Sequence, residues 1–187
     1  MIIIPSAAFA QTDISRVSVE LGAVRNYQSS FIMDKLYSFS PGIKLGGRFI
    51  ENYLEWDFSI SYWDDGVNDL LPISDGFTFS YSSTILSAAL NYYPEKVAIP
   101  IHFISGLSTR FVNRKYIGGE DMGGNIGKSS SFILYTLDFG AGLNFTITKT
   151  IRIRGDVLLF MPFNKKDFLF EKGWGGSAKL GMDYFLK

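Results

Sequence analysis

Apolar and polar residues alternate along most of this chain. From Leu54 to Tyr62 every second residue is apolar, and the residues between them are Glu, Asp, Ser and Ser. Successive side chains of a β-strand point to opposite faces, so this pattern predicts a strand with one apolar and one polar face. Seven further segments alternate in the same way, and no segment predicts a helix. The eight predicted strands are 17–23, 39–49, 54–62, 77–92, 99–111, 135–145, 151–159 and 178–184.

The fourth predicted strand is the least regular of the eight. Phe77, Phe79 and Tyr81 alternate in the opposite phase to Leu86. A β-bulge near 82–83 would shift the phase in this way, because a bulge adds one residue to one strand. The other explanation is that the first part of the strand projects beyond a membrane.

The connections between the predicted strands alternate in length. Short connections fall at 51–52, 94–96 and 146–150, and long ones fall at 27–36, 64–76, 112–130 and 161–173. Short turns at one end and long loops at the other are typical of transmembrane β-barrels. The fold class that we predict is therefore all-β, a closed eight-stranded antiparallel up-and-down transmembrane β-barrel. An even number of strands places both termini at the short-turn end.

Periodicity alone leaves two kinds of barrel open. A transmembrane barrel turns its apolar face to lipid, whereas a soluble lipocalin-like carrier encloses it. The polar faces carry six acids and six bases, and equal numbers suit a closed interior because an unpaired buried charge is costly. We therefore expect these charges to form ion pairs in the lumen, with Arg110, Arg152 and Arg154 contacting acids. The twelve residues are Glu20, Lys44, Arg48, Glu55, Asp57, Arg110, Asp138, Arg152, Arg154, Asp156, Lys179 and Asp183.

Aromatic residues gather near the ends of the predicted strands. Aromatic side chains in membrane barrels form girdles at the two interfaces between lipid and water. The pattern therefore predicts that these rings face the membrane. The residues are Tyr37, Phe39, Phe49, Tyr53, Tyr62, Trp63, Tyr92, Tyr93, Phe111, Phe145, Phe160, Trp174 and Tyr184.

The first residues of the chain indicate export. Ala8-Phe9-Ala10 has the small-residue pattern of a signal-peptide cleavage site and follows a short apolar run. We interpret residues 1–10 as a truncated signal peptide and residues 11–187 as the outer-membrane β-barrel domain. A frayed apolar N-terminus is the alternative reading of residues 1–10.

With these features, the whole mature chain resembles the small eight-stranded outer-membrane β-barrel proteins of bacteria, the porin-like outer membrane protein β-barrel family. The last segment, 177–187, alternates through Leu180, Met182 and Tyr184 as the final strand of such proteins does. Members usually end on an aromatic residue, whereas this chain continues to Leu186 and Lys187. The resemblance implies a bacterial outer-membrane location more strongly than it implies an activity.

Composition and motifs exclude several kinds of site. Lys plus Arg and Asp plus Glu number 18 each, so there is no basic surplus for a nucleic acid. The chain has no cysteine and one histidine, which excludes thiolate and multi-histidine metal sites. The GGNIGKS segment at 123–129 lacks the first glycine of a P-loop because Met122 stands there. The acidic loop at 64–75 lacks calcium-loop spacing, so we expect no cofactor.

The single histidine, His102, is the remaining candidate for catalysis. It falls on the polar face soon after a short turn, and is therefore expected inside the barrel near the periplasmic end. A lipid-modifying enzyme of this architecture needs polar groups at the opposite, extracellular rim. We expect His102 to be an interior hydrogen-bonding residue and the protein to have no catalytic site.

The expected function is accordingly that of a non-enzymatic bacterial outer-membrane protein with a charge-packed lumen. An eight-stranded barrel is only wide enough for its own side chains to fill, which argues against a large pore. The expected partners are outer-membrane lipid and lipopolysaccharide, and a protein or surface ligand held by the long loops. A narrow gated channel is the main alternative; a lipid-modifying enzyme and a soluble carrier are weaker ones.

Overall fold

In a computed structural model of the chain, eight strands close into one barrel. The structure describes residues 14–26, 38–50, 53–64, 78–94, 99–118, 128–163 and 175–186. Each strand pairs antiparallel with the next, and the first and last strands pair to close the sheet. The predicted fold class is confirmed. The strands are β1 (Arg16–Asn26), β2 (Ser38–Ile50), β3 (Leu54–Asp64), β4 (Thr78–Tyr92), β5 (Ile101–Gly118), β6 (Ser130–Thr146), β7 (Ile151–Pro162) and β8 (Gly175–Phe185).

The closing pair of strands sets the orientation of the chain in the barrel. β1 and β8 pair over eleven residues, from Arg16 opposite Phe185 to Asn26 opposite Gly175. The start of β1 and the end of β8 therefore lie at one end, together with the short connections. Within the described residues no helix is long and apolar enough to cross a membrane. The proposed signal segment lies outside the described residues.

The apolar face of the sheet points outward. Phe58 and Leu180 are 59% and 64% exposed, whereas the adjacent Asp57 is 3% exposed. The same alternation runs along β3, β6 and β7. This is the arrangement of a transmembrane barrel and the opposite of a lipocalin-like carrier, which would bury its apolar residues.

The fourth strand contains no bulge at 82–83, so that explanation is wrong. β4 pairs with β5 without interruption from Phe79 to Tyr92, and the register shifts only between Thr78 and Phe79. Ser83 and Ile85 are both buried and share the inward phase. Ile85 belongs to an apolar cluster inside the barrel, so an apolar residue takes the inward phase here without any change of register.

The first part of the long connection predicted at 112–130 is β-structure. β5 extends to Gly118 and β6 begins at Ser130, with Arg114 paired to Ser130. Gly118 pairs in turn with Thr78 of β4. β5 and β6 therefore continue into residues that the sequence predicted as a loop, and β5 stays paired there with the predicted first part of β4.

Arg48 is not buried in the lumen as predicted. Its side chain is exposed, and the pairing of β2 with β3 shifts register between Arg48 and Ile50. Arg48 is the last residue of β2 in regular register with β3, opposite Glu55, and at this end of the strand its side chain reaches solvent.

An apolar cluster fills the barrel at the long-connection end, which the sequence analysis did not predict. Trp63 and Phe160 belong to it and are each 3% exposed, so their predicted place in the membrane girdles is wrong. Exposed aromatics nevertheless occur at both ends: Phe39 and Tyr62 at the long-connection end, and Tyr184 at the other. Tyr37 and Trp174 lie outside the described residues. The apolar cluster consists of Val24, Trp63, Ile85, Val112, Leu134 and Phe160, with Phe132 packed against it.

Candidate functional site

The half of the lumen nearest the short turns is filled by a network of charged side chains. Arg16, the first residue of β1, contacts the carboxylates of Glu55 and Asp57, and its Nε lies 3.7 Å from Asp183 Oδ2. It is 1% exposed. Arg16 was missing from the predicted set, although it lies two residues before Ser18 and four before Glu20 in the same phase. Extending that phase by one step would have found it.

Arg152 on β7, which is separated from β1 by β8 alone, belongs to the same layer. Its Nε donates to Asp183 Oδ2 at 2.7 Å, and its Nη2 donates to Glu55 Oε2 at 2.9 Å. The hydroxyl of Tyr93 also donates to Glu55 Oε2, at 2.8 Å. One carboxylate from β3 thus links residues from β1 and β7 and the segment after β4.

Arg154 lies one layer deeper and bonds to three side chains. Its Nη1 donates to Asp57 Oδ2 at 2.9 Å, and its Nε lies 2.8 Å from Asp156 Oδ2. Its Nη2 donates to Asn91 Oδ1 at 2.6 Å. Asn91 Nδ2 in turn donates to Asp57 Oδ2 at 2.8 Å, so Asn91 also bonds to an acid that Arg154 contacts. Charge-assisted hydrogen bonds of this kind satisfy buried ions that would otherwise be costly.

Two lysines share the carboxylate of Glu20. Lys44 Nζ lies 2.9 Å from Oε2, and Lys179 Nζ lies 2.6 Å from Oε1. Lys44 Nζ also lies 3.6 Å from Asp156 Oδ2. Glu20 therefore connects β2 to β8 across β1.

The charges of the lumen balance within the described strands. Arg16 takes the place that the sequence analysis gave to Arg48, so the interior again holds six bases and six acids. The bases are Arg16, Lys44, Arg110, Arg152, Arg154 and Lys179. The acids are Glu20, Glu55, Asp57, Asp138, Asp156 and Asp183.

Arg110 departs from the predicted pattern of ion pairs. Its guanidinium carbon lies 3.6 Å from the centroid of the Phe160 ring, which belongs to the apolar cluster. No described acid lies within ion-pair distance of it. Asp138 instead accepts hydrogen bonds from the hydroxyls of Ser108 and, at 2.7 Å, Thr136. Arg110 and Asp138 mark the boundary between the charged half and the apolar half of the lumen.

The histidine lies inside the barrel, buried at the short-turn end. Asn144 Nδ2 lies 3.1 Å from His102 Nδ1, and Asp156 Oδ1 lies 2.9 Å from His102 Nε2. The ring stacks on Tyr93 with centroids 5.3 Å apart. Among the described residues no group of His, Cys, Asp and Glu is arranged to hold a metal ion. His102 is therefore part of the lumen packing.

Three strands project at the long-connection end. β4, β5 and β6 have 15, 18 and 17 residues, whereas β1, β3 and β8 have 11 each. We call residues 78–82, 113–118 and 128–131, which lie past the level of the apolar cluster, the β4–β6 extension. A membrane-spanning strand needs about 9–11 residues, so the extra length lies beyond the membrane.

Polar groups of the β4–β6 extension are in part bonded to one another. The amide of Tyr116 donates to Ser129 Oγ at 3.0 Å, and Ser131 Oγ donates to Asn113 Oδ1 at 2.8 Å. These bonds bring the exposed Lys115 and Lys128 to the same tip of the hairpin. The loop acids at 120 and 121 lie outside the described residues.

Solved structures show what this architecture is similar to. No protein-family model matches the sequence, and no curated protein sequence matches it. Ail, the attachment invasion locus protein of Yersinia pestis, is 17% identical, with 92% of this chain and 97% of that chain covered and a TM-score of 0.60. This chain has the fold of a small outer-membrane β-barrel.

Two further structures give the same result. Neisserial surface protein A is 14% identical, covering 94% of this chain and 99% of that chain with a TM-score of 0.55. A major outer membrane protein from Thermus thermophilus is 16% identical, covering 93% and 100% with a TM-score of 0.59. The resemblance in the sequence is thus confirmed at the level of the fold.

Proposed function

We propose that this chain is a non-enzymatic bacterial outer-membrane protein that binds a surface ligand through the β4–β6 extension. The observation that carries the proposal is the filling of the lumen by two layers, one ionic and one apolar. The outer face of the barrel contacts lipid, and the side chains of the lumen contact one another. The projecting end is therefore the surface left for a partner.

The exposed apolar face supports the location in the outer membrane. Large apolar residues such as Phe139 and Leu159 are half exposed around the barrel. A contiguous apolar surface of this extent is unfavourable in water and indicates contact with lipid. Residues 1–10 as a signal peptide and 11–187 as the barrel domain fit the same location.

An anionic saccharide is the class of ligand that we propose. Lys115 and Lys128 are exposed at the tip of the extension, beside the hydroxyl and amide groups of Ser129 and Asn113. Lysines bind phosphate and sulfate as point charges. Ail has been solved in complex with the heparin analogue sucrose octasulfate, with a TM-score of 0.58 to this chain. Lipopolysaccharide phosphates offer the same chemistry in the membrane itself.

Trimming the hairpin tests this proposal. Replacing residues 115–129 with Asn-Gly joins Arg114 to Ser130, which already pair across β5 and β6, by a two-residue turn. We expect the trimmed protein to insert into lipid vesicles and to keep the heat-dependent gel migration of a folded barrel. We expect it to lose binding to sulfated dextran, measured with the protein in vesicles.

A point variant separates charge from structure. Lys115→Gln/Lys128→Gln keeps the hairpin and should weaken the binding of sulfated dextran at least tenfold, with a smaller dependence on salt. Unchanged binding by both variants would refute the ligand site. Failure of the trimmed protein to assemble, with unchanged binding by the point variant, would assign the extension a structural role instead.

A further inference from the structure

Among the described arginines of the ionic network, Arg110 leaves the most buried donors without acceptors, two nitrogens against Nε alone for Arg16. Arg110 is 6% exposed, and its Nε and Nη1 have no hydrogen-bond partner among the described residues. Arg152 and Arg154, by contrast, each donate from Nε directly to a carboxylate. A buried guanidinium with unsatisfied donors is costly, so acceptors are expected beside it.

A small cavity adjoins this guanidinium. Its volume is about 20 Å³, which is room for one water molecule. Its polar lining comes from Arg110, Asp138, Ser87, Ser177 and Lys179. The rest of its wall is apolar and includes the Phe160 ring beneath the guanidinium. The site is therefore polar on one side and closed by the apolar cluster on the other.

The charges around the cavity decide between a neutral and an anionic occupant. Lys179 already donates to Glu20, and among the described residues the interior holds equal numbers of acids and bases. An added anion would leave one uncompensated negative charge in a low-dielectric lumen beside Asp138. A neutral molecule that both accepts and donates fits Arg110 and Asp138 together.

We propose that this cavity is a binding site for one buried water molecule, which accepts hydrogen bonds from the Arg110 guanidinium and donates to the Asp138 carboxylate. The water joins these two ions, which do not pair directly. It completes the ionic network at its boundary with the apolar cluster. This inference does not depend on the proposed surface ligand.

Nuclear magnetic resonance of the full chain in phosphatidylcholine bilayers tests the site directly. With ¹⁵N-labelled arginine, we expect transfer of magnetisation from water to the Nε–H of Arg110. The Nε–H groups of Arg152 and Arg154 serve as comparators, because both donate straight to carboxylates. Transfer to Arg110 no stronger than to the comparators would overturn the proposal.

A cavity-filling variant gives a second, independent readout. Ser177→Val adds apolar volume to the wall, so it should abolish the water transfer and lower the urea midpoint of unfolding. In an Arg110→Met background the same substitution should leave the midpoint unchanged or raise it, because no guanidinium then requires an acceptor. A higher midpoint for Ser177→Val alone would show a dry cavity. A midpoint that changes when chloride is replaced by gluconate would show an anion instead of water.

Discussion

At the scale of single residues, the interior is governed by charge balance rather than by strand position alone. Arg16 and Arg48 lie near the same end of the barrel, and the structure buries the first and exposes the second. Arg16 contacts Glu55 and Asp57 and lies near Asp183, so three acids depend on it. The number of interior bases stays equal to the number of acids because one arginine replaces the other.

The burial of Arg16 and the exposure of Arg48 predict different costs for replacing these two arginines. Arg16→Met leaves buried carboxylates undercompensated, and breaking a buried pair costs about 3–5 kcal/mol of the free energy of unfolding. Arg48→Met changes an exposed side chain and should cost less than about 0.5 kcal/mol. Equilibrium unfolding in urea, with both proteins in lipid vesicles, measures the difference. Equal losses would contradict the placement of Arg16.

At the scale of the strand, each element has one face for lipid and one for the lumen. Phe139 on β6 is 50% exposed, and the next inward residue toward the loops, Asp138, is buried. Phe139 pairs with Ser105 of β5, which lies near the middle of the membrane-spanning part of that strand. Phe139 is therefore near the midplane of the membrane. The two faces of the strand should therefore respond differently to substitution.

Phe139→Arg places a charge in lipid and should cost about 2–4 kcal/mol of the free energy of unfolding. Ser59→Ala, on the inward face of β3, is the control and should cost less than about 1 kcal/mol. Reversible unfolding of both variants in vesicles gives the comparison. Similar costs at the two positions would be incompatible with an outward apolar face.

At the scale of the whole molecule, two separate layers of side chains block the lumen. The ionic network fills the half near the short turns, and the apolar cluster of Val24, Trp63, Ile85, Val112, Leu134 and Phe160 fills the other half. An eight-stranded barrel is narrow enough for side chains to fill it completely. Either layer should therefore stop the passage of ions by itself.

We expect no steady single-channel conductance from the protein in planar bilayers. The variant Trp63→Ala/Phe160→Ala opens the apolar layer and should still not conduct, because the ionic network remains. Conductance by the unaltered protein would favour the narrow gated channel. Conductance by the double variant alone would show that the apolar layer is the seal and the ionic network is permeable.

Local alternation in the sequence was enough to predict the strand count, the antiparallel order and the outward apolar face of the strands. Those features follow from local periodicity, since every second residue of a strand shares a face. It also indicated eleven of the twelve interior charges, because residues such as Asp57 and Arg154 lie well inside regular strands. His102 was placed inside the barrel by the same alternation.

Where pairing between neighbouring strands changes the pattern, the outcome depends on the closed sheet and could not be predicted from the sequence. The bulge after Arg48 depends on the pairing of β2 with β3, and the extension of β5 to Gly118 depends on its pairing with β4 and β6. Trp63 and Phe160 face inward because six strands bring apolar residues to one level of the lumen. The sequence of one strand does not show which residues of the other strands lie at its level. Alternation along a chain is local, whereas register and the meeting of distant side chains are set when the sheet closes.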